Sequence, residues 1–252
     1  ETGEMYDKQT FDVYQEIEGL PEGSYEVSLQ GFQRPTWHDA CQAAWGTDAK
    51  EAQVTAYAYG NDGSVKLHHC YDEVFDEPMQ AEGWGKDVQL SLPNDELRNG
   101  KYALDALTGT HKAFEEGHFE NKFVCYVKAD GKLRVGVRMT EDAGLSGDWT
   151  TYDNFRLKYL GAEDMTGAVS ALEARIADAK VLLDDVETLT TKAAKDALQK
   201  AIADATAALE AELTQESYAI NSEALNAAME LETESRAAAA KLETTADRKS
   251  VV

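Results

Sequence analysis

"GDWTTYDNFRLKYLG", residues 147–161, is where the chain changes character. Within it Phe155, Leu157 and Tyr159 alternate with Arg156 and Lys158, the period-two pattern of a strand with one face on a core. All four prolines (Pro21, Pro35, Pro78, Pro93), all four tryptophans and all five histidines lie before Gly161. Beyond it only Gly167 and Tyr218 interrupt a run dominated by Ala, Leu, Glu, Lys and Thr. The stretch therefore reads as the last strand of a β-rich region, followed by helices. At 252 residues the chain has room for two ordinary domains, and the expected division is 1–161 and 162–246, with 247–252 set apart as a tail.

Working back toward the start, "KLRVGVRM" puts Leu133, Val135, Val137 and Met139 on one face and Arg134 and Arg138 on the other. It follows "FVCYVKADG", whose Asp130-Gly131 pair is a strong hairpin signal, so these two strands are expected to be antiparallel neighbours. Further strands are read at "TFDVYQEIE", "SYEVSLQGF", "AQVTAYAYG", "SVKLHH", "DVQLSL" and "TYDNFRLKYL", with short helices at "HDACQAAW" and around "LDALTGTHKAFEEG". Strands separated by polar loops, without full-length helical crossovers, imply a two-layer β-sandwich of jelly-roll type.

Working forward, Val169, Leu172, Ile176, Ala179, Leu183 and Val186 recur at helical spacing, a seam for packing on other helices. "ALEARIADAKVLL" at 171–183 is repeated as "ALQKAIADATAAL" at 197–209, and a third copy begins at "ALNAAM", 224–229. One helix per copy, with Thr190 or Thr191 and then Thr214 as N-caps, predicts an antiparallel three-helix bundle. Its alanine content suits a spacer better than an active site, since small side chains bury little area.

The formal charge of -23 excludes nucleic acid as a natural partner, because phosphate recognition needs clustered Lys and Arg. Apolar runs fall far short of the roughly 20 residues that span a bilayer, so no membrane insertion is expected. Both ends read as foreign: "ETG" resembles a secretion-vector scar and "DRKSVV" the translation of a sequencing adapter, as in a metagenomic reading frame cut short. Cys41, Cys70 and Cys125 are too few for a disulfide framework. Cys125 reads as a small buried hydrophobe, while a Cys41–Cys70 bridge has no support from spacing.

Taken together, "GLPEGSYEVSLQGFQR", "AYAYGND" and "DWTTYDNFRLKYLG" resemble a domain widespread in large secreted proteins of Bacteroidetes, over about residues 11–161. The resemblance implies a galactose-binding-like or carbohydrate-binding β-sandwich, a secreted or cell-surface location, and helical modules strung between such domains. The chain departs from the pattern at "GFQRPTW", where the group reads "GFYRAG". In calcium-carrying sandwiches of this general class an acidic residue on the last strand holds a structural ion, and Asp153 is the matching position. The plainer reading of Asp153 is a carboxylate capping turn amides, since calcium takes six to eight oxygens.

The loop "RPTWH", 34–38, is the first ligand candidate. Sugars offer apolar faces that stack on indoles and polar rims that suit Arg and His donors, which points to Arg34, Trp37 and His38. Trp84, between two glycines, joins them. The competing reading folds each indole back over its own sandwich end, and Trp149 is expected to be packing. In "LHHCYDE" two adjacent histidines on a strand face opposite ways and do not chelate one ion. "GLSGD", 144–148, reads as a loop, not a nucleophile elbow. With no triad, no metal cluster and no phosphate loop, the expectation is a non-catalytic module without an organic cofactor. Its partner is then a glycan or, alternatively, a host or bacterial surface protein.

Overall fold

The computed structural model describes residues 2–7, 10–83, 85–141, 144–186 and 188–249, with side chains placed as far as 241. It is a mixed α/β chain whose strands lie in the first part and whose long helices lie in the second. The order is β1 (Gly3–Tyr6), β2 (Phe11–Ile17), β3 (Gly23–Arg34), α1 (His38–Ala44), β4 (Ala56–Gly60), β5 (Gly63–Lys66), β6 (His68–His69), β7 (Val88–Gln89) and β8 (Tyr102–Ala103). There follow α2 (Leu107–Glu115), β9 (Glu120–Val127), β10 (Leu133–Met139), β11 (Trp149–Gly161), α3 (Thr166–Asp184), α4 (Lys192–Glu210) and α5 (Gln215–Lys249).

Two sheets share a core. In the first, β11 joins β1 to β3, and the far edge of β3 is shared by β9 and, in parallel, β6. The second runs β2-β10-β4-β5 and is antiparallel throughout. Alternation along each strand sends every second side chain inward: Tyr25, Val27 and Leu29 of β3 and Phe123, Cys125 and Val127 of β9 meet Ala56 and Ala58 of β4 and Leu133, Val135 and Val137 of β10. A second, aromatic cluster closes one end of the sheets, with Phe32, Tyr71, Phe114, Phe119 and Trp149 at its centre. Cys41, Cys70 and Cys125 are buried free thiols.

The sequence reading is corrected in three places. The strands on either side of Asp130-Gly131 are not neighbours, because β9 pairs with β3 and β10 with β2 and β4. The turn itself forms, with Gly131 at φ 66° and its N–H donating to the Lys128 carbonyl at 2.9 Å, but it carries the chain from one sheet to the other. Asn61 makes this corner tolerable: its Nδ2 donates to the carbonyls of Tyr126 and Lys132 at 3.0 Å each, and its Oδ1 accepts from Arg134 N at 3.0 Å. Second, "SVKLHH" is not one strand. The chain changes sheets at Leu67, whose N–H donates to Ala56 O at 3.0 Å. Third, "DVQLSL" keeps only Val88 and Gln89 in a strand, paired with β8.

Among the helices, Leu172, Ile176 and Ala179 are buried as the seam requires, with Val169 and Leu183 partly so. Val186 falls past the end of α3 and is 83% exposed. Thr191 caps α4 by accepting from Ala194 N at 3.3 Å, and Thr214 caps α5 by accepting from Ser217 N at 3.1 Å. The helices also touch the sheets. Tyr126 of β9 belongs to the helical cluster, and a side chain at Gly167 would sit 2.4 Å from Cys125 O, so only glycine lets α3 start this close to β9. Ser24 Oγ accepts from Gly167 N at 3.0 Å and donates to Asp164 O.

Candidate functional site

The end of the sandwich that carries the aromatic cluster opens into a cleft of about 610 Å³. Its walls come from β1 (Tyr6), the loop after β3 (Trp37), the start of β11 (Trp149) and the segment leading into α2 (Asp105, Leu107), with Arg34 at the base. β3 places Arg34 opposite Trp149 in the sheet register, so the strand ends with a guanidinium directed at the cleft floor.

Arg34 is only 3% exposed. It is ion-paired with Asp105, donates from Nη2 to Gly147 O at 3.0 Å, and lies between two indoles, 5.7 Å from the ring centre of Trp37 and 5.6 Å from that of Trp149. A buried guanidinium held by a carboxylate, a carbonyl and two aromatic faces is fixed in place. Asp105 is itself positioned by Asp87, which accepts from Asp105 N at 3.1 Å and from Gln80 N at 2.8 Å. Burial pushes the Asp87 carboxyl above its usual range.

The two indoles have different settings. Trp149 is 4% exposed, packs edge-on against Phe32 at 5.5 Å and donates from Nε1 to Glu4 at 2.8 Å. Trp37 is 50% exposed. Its ring rests on Gly147, where a side chain would fall 2.5 Å from Cε2, and Tyr6 meets it edge-on at 6.2 Å. Thr36 donates to Ser146 O at 2.8 Å and Gly147 N donates to Asp7 at 2.8 Å. The loop after β3 is thus fastened to the loop 144–148, which holds Ser146 and is itself tied to Asp7.

Of the residues singled out in the sequence, Arg34 and Trp37 meet in the cleft. His38 does not line it. That ring is buried behind, with Nδ1 2.8 Å from Tyr71 Oη and Nε2 3.5 Å from Asp105. Trp84 lies outside the described residues, although its neighbour Gly85 lines the cleft. Asp153 stands apart: its Oδ1 accepts from Asn154 N at 2.7 Å and its Oδ2 from Thr2 Oγ1 at 3.1 Å, where the register of β11 against β3 shifts. Among the described residues no three His, Cys, Asp or Glu side chains converge on a metal position. His68 turns to Asp72 at 3.2 Å, whereas His69 is buried against Trp45 and accepts from Tyr71 N at 3.0 Å. Burial pulls the His69 ring down to about 4 and pushes the Cys41 thiol up to about 11.

Sequence reasoning missed Tyr6, Asp87, Asp105 and Leu107. A buried arginine demands a carboxylate, but nothing local selects Asp105 from 47 acidic residues. Chemically the cleft offers an indole and a phenol for an apolar ring face, with the carboxylates of Glu4 and Asp105 as acceptors for hydroxyls. Compared with protein-family models, with curated proteins and with solved structures, the chain matches none of them.

Proposed function

We propose that the chain is a non-catalytic glycan-binding module of a secreted or surface-displayed bacterial protein, with the cleft around Trp37 as its binding site. In this reading the strand half is a carbohydrate-binding sandwich of jelly-roll type, and the helices form a three-helix bundle that spaces it from its neighbours. The observation that carries the reading is Trp37: a half-exposed indole, seated on Gly147 and braced by Tyr6, is a stacking platform held ready. Preorganised aromatic faces bind rings at low conformational cost. The same exposed group, Tyr6, Trp37 and Leu107, also favours a second reading, adhesion to a surface protein through an aromatic anchor.

The experiment is a glycan array beside a pull-down of surface proteins, each run with wild type, Trp37→Ala and Trp149→Ala. Trp37→Ala is expected to weaken glycan binding by about 1–3 kcal/mol, by analogy with bases stacked on aromatic side chains, and to cost no more than about 2 kcal/mol of stability for a half-buried ring. Trp149→Ala is expected to cost about 3–5 kcal/mol of stability. Equal destabilisation by both variants, with no glycan retained on the array, transfers the function to protein adhesion.

A further inference from the structure

On the outer face of the second sheet, Arg138 of β10, Tyr57 of β4 and Lys66 of β5 stand in one cross-strand row. Adjacent strands lie about 4.8 Å apart, so the two cations flank the tyrosine on either side. Arg138 lies 4.6 Å from the ring centre of Tyr59 and Lys66 lies 5.6 Å from that of Tyr57. Neither makes an ion pair among the described residues, in contrast to Arg134 on the same face, which is bound to Asp12 at 2.7 Å. A cation over an aromatic face is held without being neutralised. Its charge remains open to an anion.

This row floors a groove of about 600 Å³ whose other wall is α3, where Ala171 and Ala174 leave room and Arg175 adds a third cation. Arg138 is shared with an adjoining hollow of about 390 Å³. In a chain of net charge -23 the lining of this groove is locally balanced, with Lys66, Arg138 and Arg175 against Asp62, Glu141 and Asp178, and two of its cations stand over tyrosines without an ion pair among the described residues. Asp62, Glu141 and Asp178 border the same groove and repel a dense polyanion such as nucleic acid or a sulfated chain. What fits is a ring with an apolar face and one carboxylate: the apolar face on Tyr57, the carboxylate in the fork of Arg138.

We propose that the groove between the outer face of β4, β5 and β10 and helix α3 is a second binding site, for a short saccharide bearing a uronic acid. It shares no residue with the cleft at Trp37, and the two sites stand or fall separately. The test is calorimetric titration of the full chain with trisaccharides of galacturonic, glucuronic and mannuronic acid and with the neutral galactose trisaccharide. At least one acidic trisaccharide is expected to bind about tenfold or more tighter than the neutral one, as a charge-assisted hydrogen bond provides, and to weaken as salt is raised. Arg138→Gln and Lys66→Gln should each lose about tenfold, while Trp37→Ala leaves this binding unchanged. Lys66 is exposed, so its variant carries the test even where Arg138→Gln disturbs folding. The proposal is overturned if no acidic trisaccharide binds, if both cation variants bind like wild type, or if Trp37→Ala abolishes the binding. It is equally overturned if only a poly-glutamate peptide binds with the same sensitivity to the variants, which assigns the groove to an acidic polypeptide.

Discussion

In the strand half, Phe32 meets Phe114, Phe119 and Trp149 at ring separations of 6.1, 4.7 and 5.5 Å; in the helical half, many of the buried places are held by alanines 168, 171, 179, 194, 201, 205 and 228. Large rings interlock and admit few alternative packings. An alanine seam lets helices come close but says little about their register, and the repeat at 171–183 and 197–209 makes a slipped alignment nearly as good. Register in the helical half comes instead from polar groups. Arg236, 7% exposed, pairs with fully buried Glu232 at 2.8 Å and with Asp185 at 2.9 Å. It also donates to the carbonyls of Leu182 and Thr188 at 2.8 and 3.2 Å, and Glu232 accepts from Thr190 at 2.8 Å. One side chain on α5 thereby closes the end of α3 and the connection that leads to α4.

The largest effect expected from this contrast is at Arg236. Replacing it with methionine leaves the Glu232 carboxylate buried with Thr190 alone, a loss of about 3–5 kcal/mol in urea unfolding. The double variant Arg236→Met/Glu232→Met removes the stranded charge and should recover most of that loss. If the single substitution costs less than about 1 kcal/mol, the level of an exposed pair, the network does not set the register and the alanine seam must.

A somewhat smaller effect belongs to the strand half. His69 is pulled from 6.5 down to about 4, chiefly by burial, with His38 and Arg98 adding to it and Asp72 opposing it. Because the folded ring resists protonation more than the unfolded one, stability is undiminished above pH 6.5 and falls as pH drops toward 4. The loss is up to about 3 kcal/mol. His68, raised by its bond to Asp72, works in the opposite sense and offsets part of it. The difference in unfolding free energy between wild type and His69→Gln, followed across this range, should shift against wild type as acid is added. A flat difference shows that His69 protonates without penalty. The helical half has no histidine and contributes nothing to this titration.

What was legible in the sequence follows the same division. Period-two alternation marked β10, whose Leu133, Val135, Val137 and Met139 are all buried, and the first part of β3, while the helical seam marked α3 because its buried residues are those of the repeat. In β11 the alternation misled, since Phe155 and Tyr159 are 38% and 43% exposed and of the three only Leu157 packs on the core, and in β2 only the end residues Phe11 and Ile17 reach it. The pairing of β9 was not legible. A turn signal reports that the chain reverses, while the choice between a neighbour and the opposite sheet was made by Asn61, some 70 residues away. In the cleft, Trp37 could be singled out since a loop beside proline hinders burial. Tyr6 and Asp105 could not, because their roles depend on β1 pairing with β11 and on the remote Asp87.

The smallest effect tests whether the halves act as one. Tyr126 leaves the sheet face opposite the sandwich core and meets Tyr218 of α5 edge-on at 5.0 Å, inside a cluster otherwise made of helical residues. The sandwich and aromatic clusters contain no residue beyond Leu157, so residues 2–161 keep both clusters when the helices are removed, whereas the helices without Tyr126 lose an aromatic member of theirs. The dependence is therefore lopsided. A double-mutant cycle with Tyr126→Leu and Tyr218→Leu should return a coupling of about 1 kcal/mol, the range for an edge-on aromatic pair, and full-length protein should melt in one transition. A fragment of residues 2–161 should retain a cooperative melt, while residues 162–249 alone should show only weak helicity, as expected of short alanine-rich helices deprived of their docking surface. A coupling near zero with two separate transitions in the full chain means that the contacts at Tyr126, Ser24 and Gly167 orient the helices without stabilising them, and that the alanine seam and the Arg236 network suffice on their own.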